Sequence, residues 1–363
     1  MGRSFDPIFA LGLMSGTSAD GVDAALVKTD GESVCDFHHA ITMPYDDRLR
    51  ERLLEAAQND VPSGELLELE RVLTESHVNA CDDVLLHASG VSREALQLIG
   101  FHGHTIQHDA SRRLTWQLGD ASLLSEAVGC PVVHDYRRRD IAAGGQGAPL
   151  APLFHRMLFA DRREPTVVLN LGGVANITWI GSDGAILAGD TGPGCGLLDA
   201  WAQKHLGKPF DCDGELARSG VPDMQIVREV MQMPFFQTPI PKSADRYEFH
   251  GIDLSRLNPA DGAATLCAVT VAAVAATVSR LPVPPEAVWV TGGGTRHPVL
   301  MAMLQAELAN VRPIESAGFR SDSLEAECFA WLAVRRIRDL PTSIPETTGC
   351  SRPTCGGSLT AEV

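Results

Sequence analysis

The residues that could carry chemistry are densest in one turn near the start of the chain. In the stretch LGLMSGTSADGVDAALV, two apolar runs flank a centre made of Gly16, Thr17, Ser18, Ala19, Asp20, Gly21, Val22 and Asp23. Glycines let backbone N–H groups approach an anion closely, and the hydroxyls add further donors. Asp20 or Asp23 could hold Mg²⁺ through a water molecule. The turn therefore predicts phosphate binding, with an ordinary hairpin turn as the alternative, because it lacks the GxxxxGK[ST] spacing of a Walker loop.

Two further glycine turns follow strand-like runs. Gly172 and Gly173 lie between predicted strands at 166–171 and 176–180, and the second of these strands begins with Asn176. Later in the chain, VWVTGGGTRHPVL places Gly292, Gly293 and Gly294 between a predicted strand and a predicted helix. Such a turn can lie close to a nucleotide, or it can be a tight connection that caps the helix. There is no GxGxxG followed by an acid, so a dinucleotide-binding fold is disfavoured.

One acid stands in a favourable place for proton transfer. Asp190 lies in GDTGPG, at the end of the strand predicted over 185–188. A carboxylate at a strand end that faces a cleft is well placed to act as a general base. The alternative is a turn aspartate that bonds its own backbone.

Three histidines raise a different possibility. His102, His104 and His108 form the pattern HxHxxxH, and on a strand the first two would share a face, as a pair of metal ligands must. A metal-dependent hydrolase is therefore one hypothesis, and polar residues in a substrate-facing loop are the alternative. The stretch YRRRDIAAGGQGAP, which contains Arg139, reads as a crossing between domains that can bend around a ligand. Lys242 and Glu325 are uninformative when each is taken alone.

The elements that must position these residues alternate along the chain. Strands are predicted at 8–14, 24–28, 36–44, 96–101, 114–118 and 131–134, with helices at 46–58 and 65–88 and another that Asp120 caps and Gly129 ends. A strand, a glycine turn and two more strands recur about 155 residues after their first appearance, which indicates structural kinship between two halves. The last strong helix is predicted at 323–338. The sequence therefore predicts a mixed α/β protein.

Composition narrows the class of protein. With 363 residues, two domains are expected. A formal charge of −16 argues against nucleic acid or an anionic membrane as a partner. Nine scattered cysteines without a CxxC pair indicate a reduced, cytoplasmic protein. The apolar run 263–278 is too short for a typical membrane span and is predicted to be a buried helix.

Taken in order, the motifs resemble one family. GLMSGTSADGVD, FHGHT, YRRRDIAAGGQGAP, LNLGGVANIT, GDTGPG, PKSADR, TGGGTRHP, LEAECFAWLA and TTGC occur in the order seen in 1,6-anhydro-N-acetylmuramic acid kinases, over nearly the whole chain. The resemblance implies two actin-like (ribonuclease H-like) α/β domains with ATP in the cleft between them. It places domain I at 1–134 with about 340–363, and domain II at 135–339.

The resemblance also implies roles for single residues. The turn at 16–23 would be the first phosphate hairpin, Gly172, Gly173 and Asn176 would belong to the second, and Gly292–Gly294 would lie against adenosine. Asp190 would be the catalytic base. His102, Thr105, Arg139 and Glu325 would line the sugar site.

The implied reaction combines two steps and uses ATP and Mg²⁺. Water adds to the anomeric carbon and opens the 1,6-anhydro bridge, while the released O6 attacks the γ-phosphate to give N-acetylmuramic acid 6-phosphate and ADP. The family's HGQT, GPGN and KSTGR read HGHT, GPGC and KSADR here, which puts sugar affinity and the position of Lys242 in question. A homodimer is expected from the family. A non-catalytic actin-like ATP-binding protein is the third hypothesis.

Overall fold

The computed structural model describes residues 5–244 and 248–361. The strands are β1 (Ile8–Ser15), β2 (Gly21–Thr29), β3 (Cys35–Pro44), β4 (Leu96–Asp109), β5 (Leu114–Leu118), β6 (Val132–His134), β7 (Thr166–Leu171), β8 (Val174–Ile180), β9 (Ile186–Pro193), β10 (Ala287–Thr291), β11 (Val311–Pro313) and β12 (Ser358–Leu359). The α-helices are α1 (Asp47–Ala56), α2 (Ser63–His87), α3 (Ala121–Val128), α4 (Tyr136–Ala142), α5 (Pro152–Leu158), α6 (Gly196–Leu206), α7 (Glu215–Arg218), α8 (Met224–Val230), α9 (Pro234–Gln237), α10 (Pro259–Val278), α11 (Pro298–Glu307), α12 (Leu324–Ile337) and α13 (Pro345–Thr348). Short 3₁₀ helices lie at Arg93–Ala95, Cys212–Gly214, Gly293–Arg296 and Ile314–Ala317.

The chain divides into two compact units. The first unit comprises residues 1–157, 322–345 and 349–363, and the second comprises 158–321 and 346–348. The predicted boundaries, at 134/135 and near 340, differ from these. Helix α4 follows β6, and α12 packs on β1, β2 and β4. Both helices therefore belong to the first unit.

The first unit is built on a sheet with the order β12-β6-β4-β1-β2-β3, with β5 paired to β4. Strand β1 is antiparallel to β2 and parallel to β4. Helix α12 approaches this sheet very closely, because a Cβ on Gly12 would lie 1.8 Å from the carbonyl oxygen of Ala326 and one on Gly100 would lie 2.1 Å from that of Phe329. Glycine in the sheet and alanine in the helix therefore set the packing distance.

The second unit contains a sheet with the order β11-β10-β7-β8-β9. Strand β7 is antiparallel to β8 and parallel to β10. Three antiparallel strands followed by two parallel ones occur in the same order in the first unit, as β3-β2-β1-β4-β6. This order is that of the ribonuclease H-like fold, so the predicted fold class and the predicted kinship of the two halves are confirmed.

Helix α10 is the one helix among the described residues that is long and apolar enough to cross a membrane, and 72% of its most apolar window is buried in the protein. Its side chains join the core of the second unit, where Ala263 and Val269 are fully buried. The prediction of a buried helix is therefore confirmed.

Several local predictions can be compared directly. The carboxylate of Asp120 caps α3 by accepting from the backbone N–H groups of Ser122 and Leu123, and Gly129 ends the helix in the left-handed region, as predicted. The stretch 136–149 is not all loop, because its first seven residues form α4. Tyr136, Asp140 and Ile141 are buried along one side of that helix. The glycines that follow them made the whole stretch look irregular.

Candidate active site

The turn at 16–23 connects β1 to β2 and opens outward at its tip. Thr17, Ser18 and Asp20 are exposed, and the hydroxyl of Ser18 donates to Asp20 Oδ1 at 2.9 Å. The backbone N–H of Ala19 donates to the carbonyl oxygen of Gly16 at 3.0 Å, which closes the turn. The tip therefore presents two hydroxyls and a carboxylate to a ligand.

Other residues of this turn hold it in place. Ala19 and Val22 are fully buried, so their side chains anchor the turn in the core and only their backbone could contact a ligand. A Cβ on Gly21 would lie 2.4 Å from the carbonyl oxygen of Met43. Glycine is therefore required at this position for strand pairing with β3.

A buried chain of hydrogen bonds fixes the base of the turn. The Tyr45 hydroxyl donates to Ser15 Oγ at 2.7 Å, and Ser15 Oγ lies 2.8 Å from His104 Nδ1. Ser15 Oγ accepts from Tyr45, and the tautomer of His104 determines which atom donates in the Ser15–His104 bond. Burial raises the pKa of Tyr45, which keeps the phenol protonated as the donor. His104, at a position where the resembled family has glutamine, therefore links β4 to the turn.

Asp23 lies on β2 just after the turn. Its Oδ1 accepts from the Thr42 hydroxyl at 2.6 Å. Burial, with smaller contributions from the charges of Asp20, Glu325 and Asp322, raises the pKa of this carboxyl to about 7. The acids around Asp23 make this end of the turn favourable for a cation.

The His102 ring is fully engaged. Its Nε2 lies 3.1 Å from Arg137 Nε and 2.8 Å from Arg137 Nη2, and its Nδ1 lies 2.8 Å from the carbonyl oxygen of Gly103. Since guanidinium groups only donate, Nε2 accepts and Nδ1 carries the proton. Burial and then the Arg137 charge lower the pKa of His102 well below its usual value.

This arrangement contradicts the metal-dependent hydrolase hypothesis. Neither nitrogen of His102 is available to a metal, and a guanidinium occupies the place where the ion would bind. His104 Nδ1 bonds Ser15. Within residues 5–244 and 248–361, no group of three or more His, Cys, Asp or Glu side chains is arranged as a metal site.

Arg137, two residues before the predicted Arg139, is the arginine that contacts His102. Its Nη1 donates to the carbonyl oxygen of Gly147 at 2.7 Å, and its charge acts on the half-buried Glu325, whose pKa is raised mainly by burial. Arg139 is exposed, and its charge acts instead on the thiol of Cys355. Two residues along a helix are about 200° apart, so the two arginines point in opposite directions.

The remaining predicted sugar residue lies on the same strand as His102. Thr105 is half-buried on β4, and its Oγ1 accepts from Gln117 Nε2 at 3.2 Å. The first unit thus brings His102, Arg137 and Glu325 together and places Thr105 three residues further along the strand from His102. Asp140, to which the sequence motifs assign no role, supports this region by accepting from the backbone N–H of Gly147 at 2.7 Å.

In the second unit, Asp190 lies inside β9 rather than at its end, since the strand continues to Pro193. It is 7% exposed. Its backbone N–H donates to the carbonyl oxygen of Lys242 at 2.8 Å, and its Oδ2 accepts from the backbone N–H of Ala244 at 2.8 Å. The carboxylate is therefore oriented by a main-chain donor that does not depend on the Ala244 side chain.

Lys242 is buried beside this pair. Its Nζ donates to the carbonyl oxygen of Phe235 at 2.6 Å and lies 4.0 Å from the centre of the Phe235 ring. Burial lowers the pKa of Lys242 to about 8, although the negative charge of Asp190 acts in the opposite direction. The neighbouring departure Asp245 lies outside the described residues.

Gly172 and Gly173 form the turn between β7 and β8, and the chain after β9 holds this turn. The carbonyl oxygen of Gly172 accepts from Cys195 N at 2.7 Å, and that of Gly173 accepts from Gly194 N at 3.0 Å. A Cβ on Gly194 would lie 2.2 Å from the Gly172 oxygen. Cys195 contributes its backbone here, so the cysteine that replaces the family's asparagine keeps this contact. Asn176 follows on β8, opposite Asp190 of β9.

The three glycines after β10 differ from one another. Gly292 has a φ of 85°, and a Cβ there would lie 2.4 Å from Asn170 Oδ1. A Cβ on Gly294 would lie 2.5 Å from that of Leu171. Gly293 alone faces open space. Gly292 and Gly294 are thus explained by close packing on β7, and Gly293 is the one with room for a ligand.

Comparison with known proteins adds independent information. The family model described as anhydro-N-acetylmuramic acid kinase matches residues 8–362. A relative with that name from Acidiphilium cryptum (strain JF-5) is 48% identical over 358 residues, covering 96% of this chain and 97% of its own length. Another from Paramagnetospirillum magneticum is 47% identical over 354 residues, covering 96% and 99%. Component A of the Acidaminococcus fermentans (R)-2-hydroxyglutaryl-CoA dehydratase is a solved structure with a TM-score of 0.46 and 11% identity, covering 91% of this chain and 99% of its own.

Proposed function

The chain belongs to the anhydro-N-acetylmuramic acid kinase family, and we propose that it catalyses the ATP-dependent opening and phosphorylation of 1,6-anhydro-N-acetylmuramic acid. The products are N-acetylmuramic acid 6-phosphate and ADP. This reaction serves peptidoglycan recycling and amino-sugar catabolism. The observation that carries the proposal is the family match over residues 8–362, together with an oriented carboxylate at Asp190.

Asp190 is the proposed base. Its carboxylate takes one proton from water as the water oxygen bonds to C1 of the sugar, in the manner of the base of an inverting glycosidase. The C1–O6 bond breaks, O6 bonds to the γ-phosphorus, and the bond from that phosphorus to ADP breaks. Because the phosphoryl group captures the charge on O6, no protein acid is needed for the leaving oxygen. The Ala244 N–H supports this role by holding the carboxylate oxygen Oδ2 in place.

The turn at 16–23 is the proposed site for the phosphates. Its exposed hydroxyls of Thr17 and Ser18 can donate to phosphoryl oxygens, and phosphoryl transfer depends mainly on such positioning and charge stabilisation. Gly172, Gly173 and Asn176 are proposed as the second phosphate turn. Gly293 is the proposed point of close approach to adenosine.

Mg²⁺ fits the acids beside the first turn. Mg²⁺ is commonly held by one or two carboxylates together with water and substrate phosphates. Asp20 is exposed at the tip, and the raised pKa of Asp23 reflects burial and nearby acids that a cation would neutralise. We propose that Asp20 holds the ion through water. When bound, the ion supplies positive charge to the oxygens of the transferring group.

The sugar site is proposed to use His102, Thr105, Arg137 and Glu325. Arg137 replaces Arg139 in this set because it is the arginine that contacts His102. The neutral His102 ring keeps the guanidinium in a fixed orientation, and the positive charge of Arg137 stabilises a negative Glu325. A fixed cation next to a carboxylate can orient a hydroxyl-rich substrate through charge-assisted hydrogen bonds.

Cytoplasmic location and a homodimer are also proposed. All nine cysteines are free thiols, which is typical of a reducing compartment. The homodimer rests on the family resemblance alone, and light scattering of the purified protein would measure it.

A coupled assay of ADP formation tests the proposed reaction. The purified protein is mixed with ATP and Mg²⁺, with and without 1,6-anhydro-N-acetylmuramic acid, and N-acetylmuramic acid serves as the ring-opened control. We expect ADP to form only with the anhydro-sugar, in a one-to-one ratio with the 6-phosphate product. ADP formation without sugar, or equal formation with the ring-opened sugar, would contradict the proposal.

A further inference from the structure

The first unit contains a cavity of about 180 Å³ whose lining includes one residue of the proposed sugar site, His102. Its apolar base includes Phe101 and Leu118, which are 2% and 1% exposed. Polar side chains from three elements surround it: Glu70 on α2, His134 on β6, and Asp135 with Arg138 at the start of α4.

This cavity lies on the α2 side of the sheet. The Phe101 ring makes an edge-to-face contact with His77 of α2, at a centroid distance of 5.0 Å. The next residue, His102, directs its ring to Phe329 of α12, at 4.6 Å. Neighbouring strand residues point to opposite faces. His102 borders the cavity, but its ring, with Arg137, belongs to the α12 side, where the proposed sugar residues lie.

Trp116 borders the cavity without being part of the core. It lies on β5, which pairs only with β4 among the described residues, and it is 38% exposed. Leu118 on the same face is buried, whereas Trp116 leaves part of a large indole in contact with water. An indole at the edge of a polar cavity offers a flat apolar surface on which a ring can stack.

The charged groups of the cavity are two carboxylates and one guanidinium. Glu70 Oε1 accepts from the backbone N–H of Gly119 at 3.1 Å, and Asp135 Oδ2 lies 3.6 Å from Arg138 Nη1. Burial lowers the pKa of His134, so this ring is neutral near pH 7. The two carboxylates outnumber the one guanidinium, so the cavity carries a net negative charge that repels an anion. All three groups are planar and can pair with hydroxyls.

We propose that this cavity is a second binding site, which takes an uncharged pyranose ring stacked on Trp116 and hydrogen-bonded by Glu70, Asp135 and Arg138. The site shares only the bordering residue His102 with the proposed reaction, and its function goes beyond that reaction. An aromatic face combined with planar carboxylate and guanidinium groups suits a ring that is apolar on its faces and polar around its rim.

The probes are N-acetylglucosamine and its 6-phosphate, which carry the same ring with and without an anionic group. Binding to the full-length protein is measured by calorimetry and by the ¹⁵N–¹H signal of the Trp116 indole. We expect saturable binding of the neutral sugar, a shift of the indole signal, and at least about tenfold weaker binding of the 6-phosphate. Saturating 1,6-anhydro-N-acetylmuramic acid should leave the neutral sugar's affinity unchanged.

Variants of β5 supply the controls. Trp116→Ala should weaken binding about tenfold, and Trp116→Phe should recover most of it because a ring is restored. Leu114→Ala alters another exposed apolar residue of the same strand face, which is 41% exposed, and should leave binding unchanged. The proposal is overturned if the neutral sugar does not bind saturably, if the wild-type indole signal does not move, if the 6-phosphate binds equally well, or if the anhydro-sugar competes.

Discussion

The turn at 16–23 and the turn at Gly172–Gly173 follow the first strands of two sheets with the same strand order, but they are held in different ways. The first is held at its base by the side chains of Tyr45, Ser15 and His104. The second is held by main-chain donors from the segment after β9. The same sheet topology therefore supports two different turns. The turn at 16–23 exposes side chains that could contact a ligand, whereas the turn at Gly172–Gly173 is held by backbone contacts.

Because of this difference, substitutions in the two turns should have different effects. In the first turn the exposed hydroxyls can change without disturbing the fold, so substitutions there should alter nucleotide use. In the second turn, backbone atoms pass so close together that a single methyl group would disturb the fold. The following predictions test that contrast.

The largest structural effect is expected at Gly194. Gly194→Ala places a Cβ 2.2 Å from the Gly172 carbonyl oxygen, so the backbone must move. We expect a loss of about 3 kcal/mol in the free energy of unfolding, measured by urea denaturation. Gly293→Ala, which adds its methyl group in open space, is the matched control. Equal stability of the two variants would contradict the contrast.

At the tip of the first turn, the hydroxyl of Ser18 is expected to donate a hydrogen bond to a phosphate of ATP. Ser18→Ala should raise the KM for ATP at least about tenfold, because a hydrogen bond to a charged group contributes about 1.5–3 kcal/mol. Stability should not change. Ser33→Ala is the control, since Ser33 is also exposed and bonds a nearby acid, Asp30. A Ser18 variant with the wild-type KM would show that this hydroxyl does not serve phosphate.

A smaller effect is expected at the base of the first turn. His104→Ala removes the hydrogen-bond partner of the Ser15 hydroxyl and should raise the KM for ATP about fivefold, since a neutral hydrogen bond contributes about 1 kcal/mol. His104→Gln should recover most of the affinity, because an amide can also pair with Ser15. Steady-state kinetics with varied ATP measures both. If His104→Gln has the same KM for ATP as His104→Ala, the hydrogen bond between His104 and Ser15 does not contribute to ATP affinity.

The smallest effect concerns pH and Asp23. Because its pKa is raised to about 7 in the folded protein, the folded state holds a proton that the unfolded state loses above its ordinary pKa. The contribution of the Asp23 carboxyl to the free energy of unfolding therefore falls as pH rises from about 4 to about 7. Asp23→Asn should raise the melting temperature relative to wild type at pH 8, by a few degrees, and change it less at pH 4. The same difference in melting temperature between Asp23→Asn and wild type at pH 4 and at pH 8 would contradict the raised pKa of Asp23.

Much of the fold could be predicted from the sequence because strands and helix ends are marked by residues that are close together in the chain. The alternation of apolar runs located the strands, and Asp120 with Gly129 marked both ends of α3. The helix α4 was missed because three adjacent arginines carry no visible period and a glycine-rich stretch follows them. Without a helix, the opposite directions of Arg137 and Arg139 could not be inferred.

The partners of the site residues were not accessible from the sequence. The N–H that orients Asp190 belongs to Ala244, 54 residues away, and no side-chain pattern marks a backbone donor. His104 and Ser15 are 89 residues apart and meet only because β1 and β4 pair in parallel. The histidine pair looked like a metal site because its spacing is visible in the sequence, whereas the Arg137 contact is not.

The role of Asp190 as the base that activates water is tested most directly by a single-turnover experiment with Asp190→Asn. Enzyme in excess is mixed with 1,6-anhydro-N-acetylmuramic acid, ATP and Mg²⁺, and the 6-phosphate product is followed over time, with ATP affinity measured separately by calorimetry. We predict that product formation slows about 10²–10⁴-fold while ATP affinity stays within about threefold of wild type. A variant that forms product at the wild-type rate, or that loses ATP binding in proportion to activity, would contradict this role.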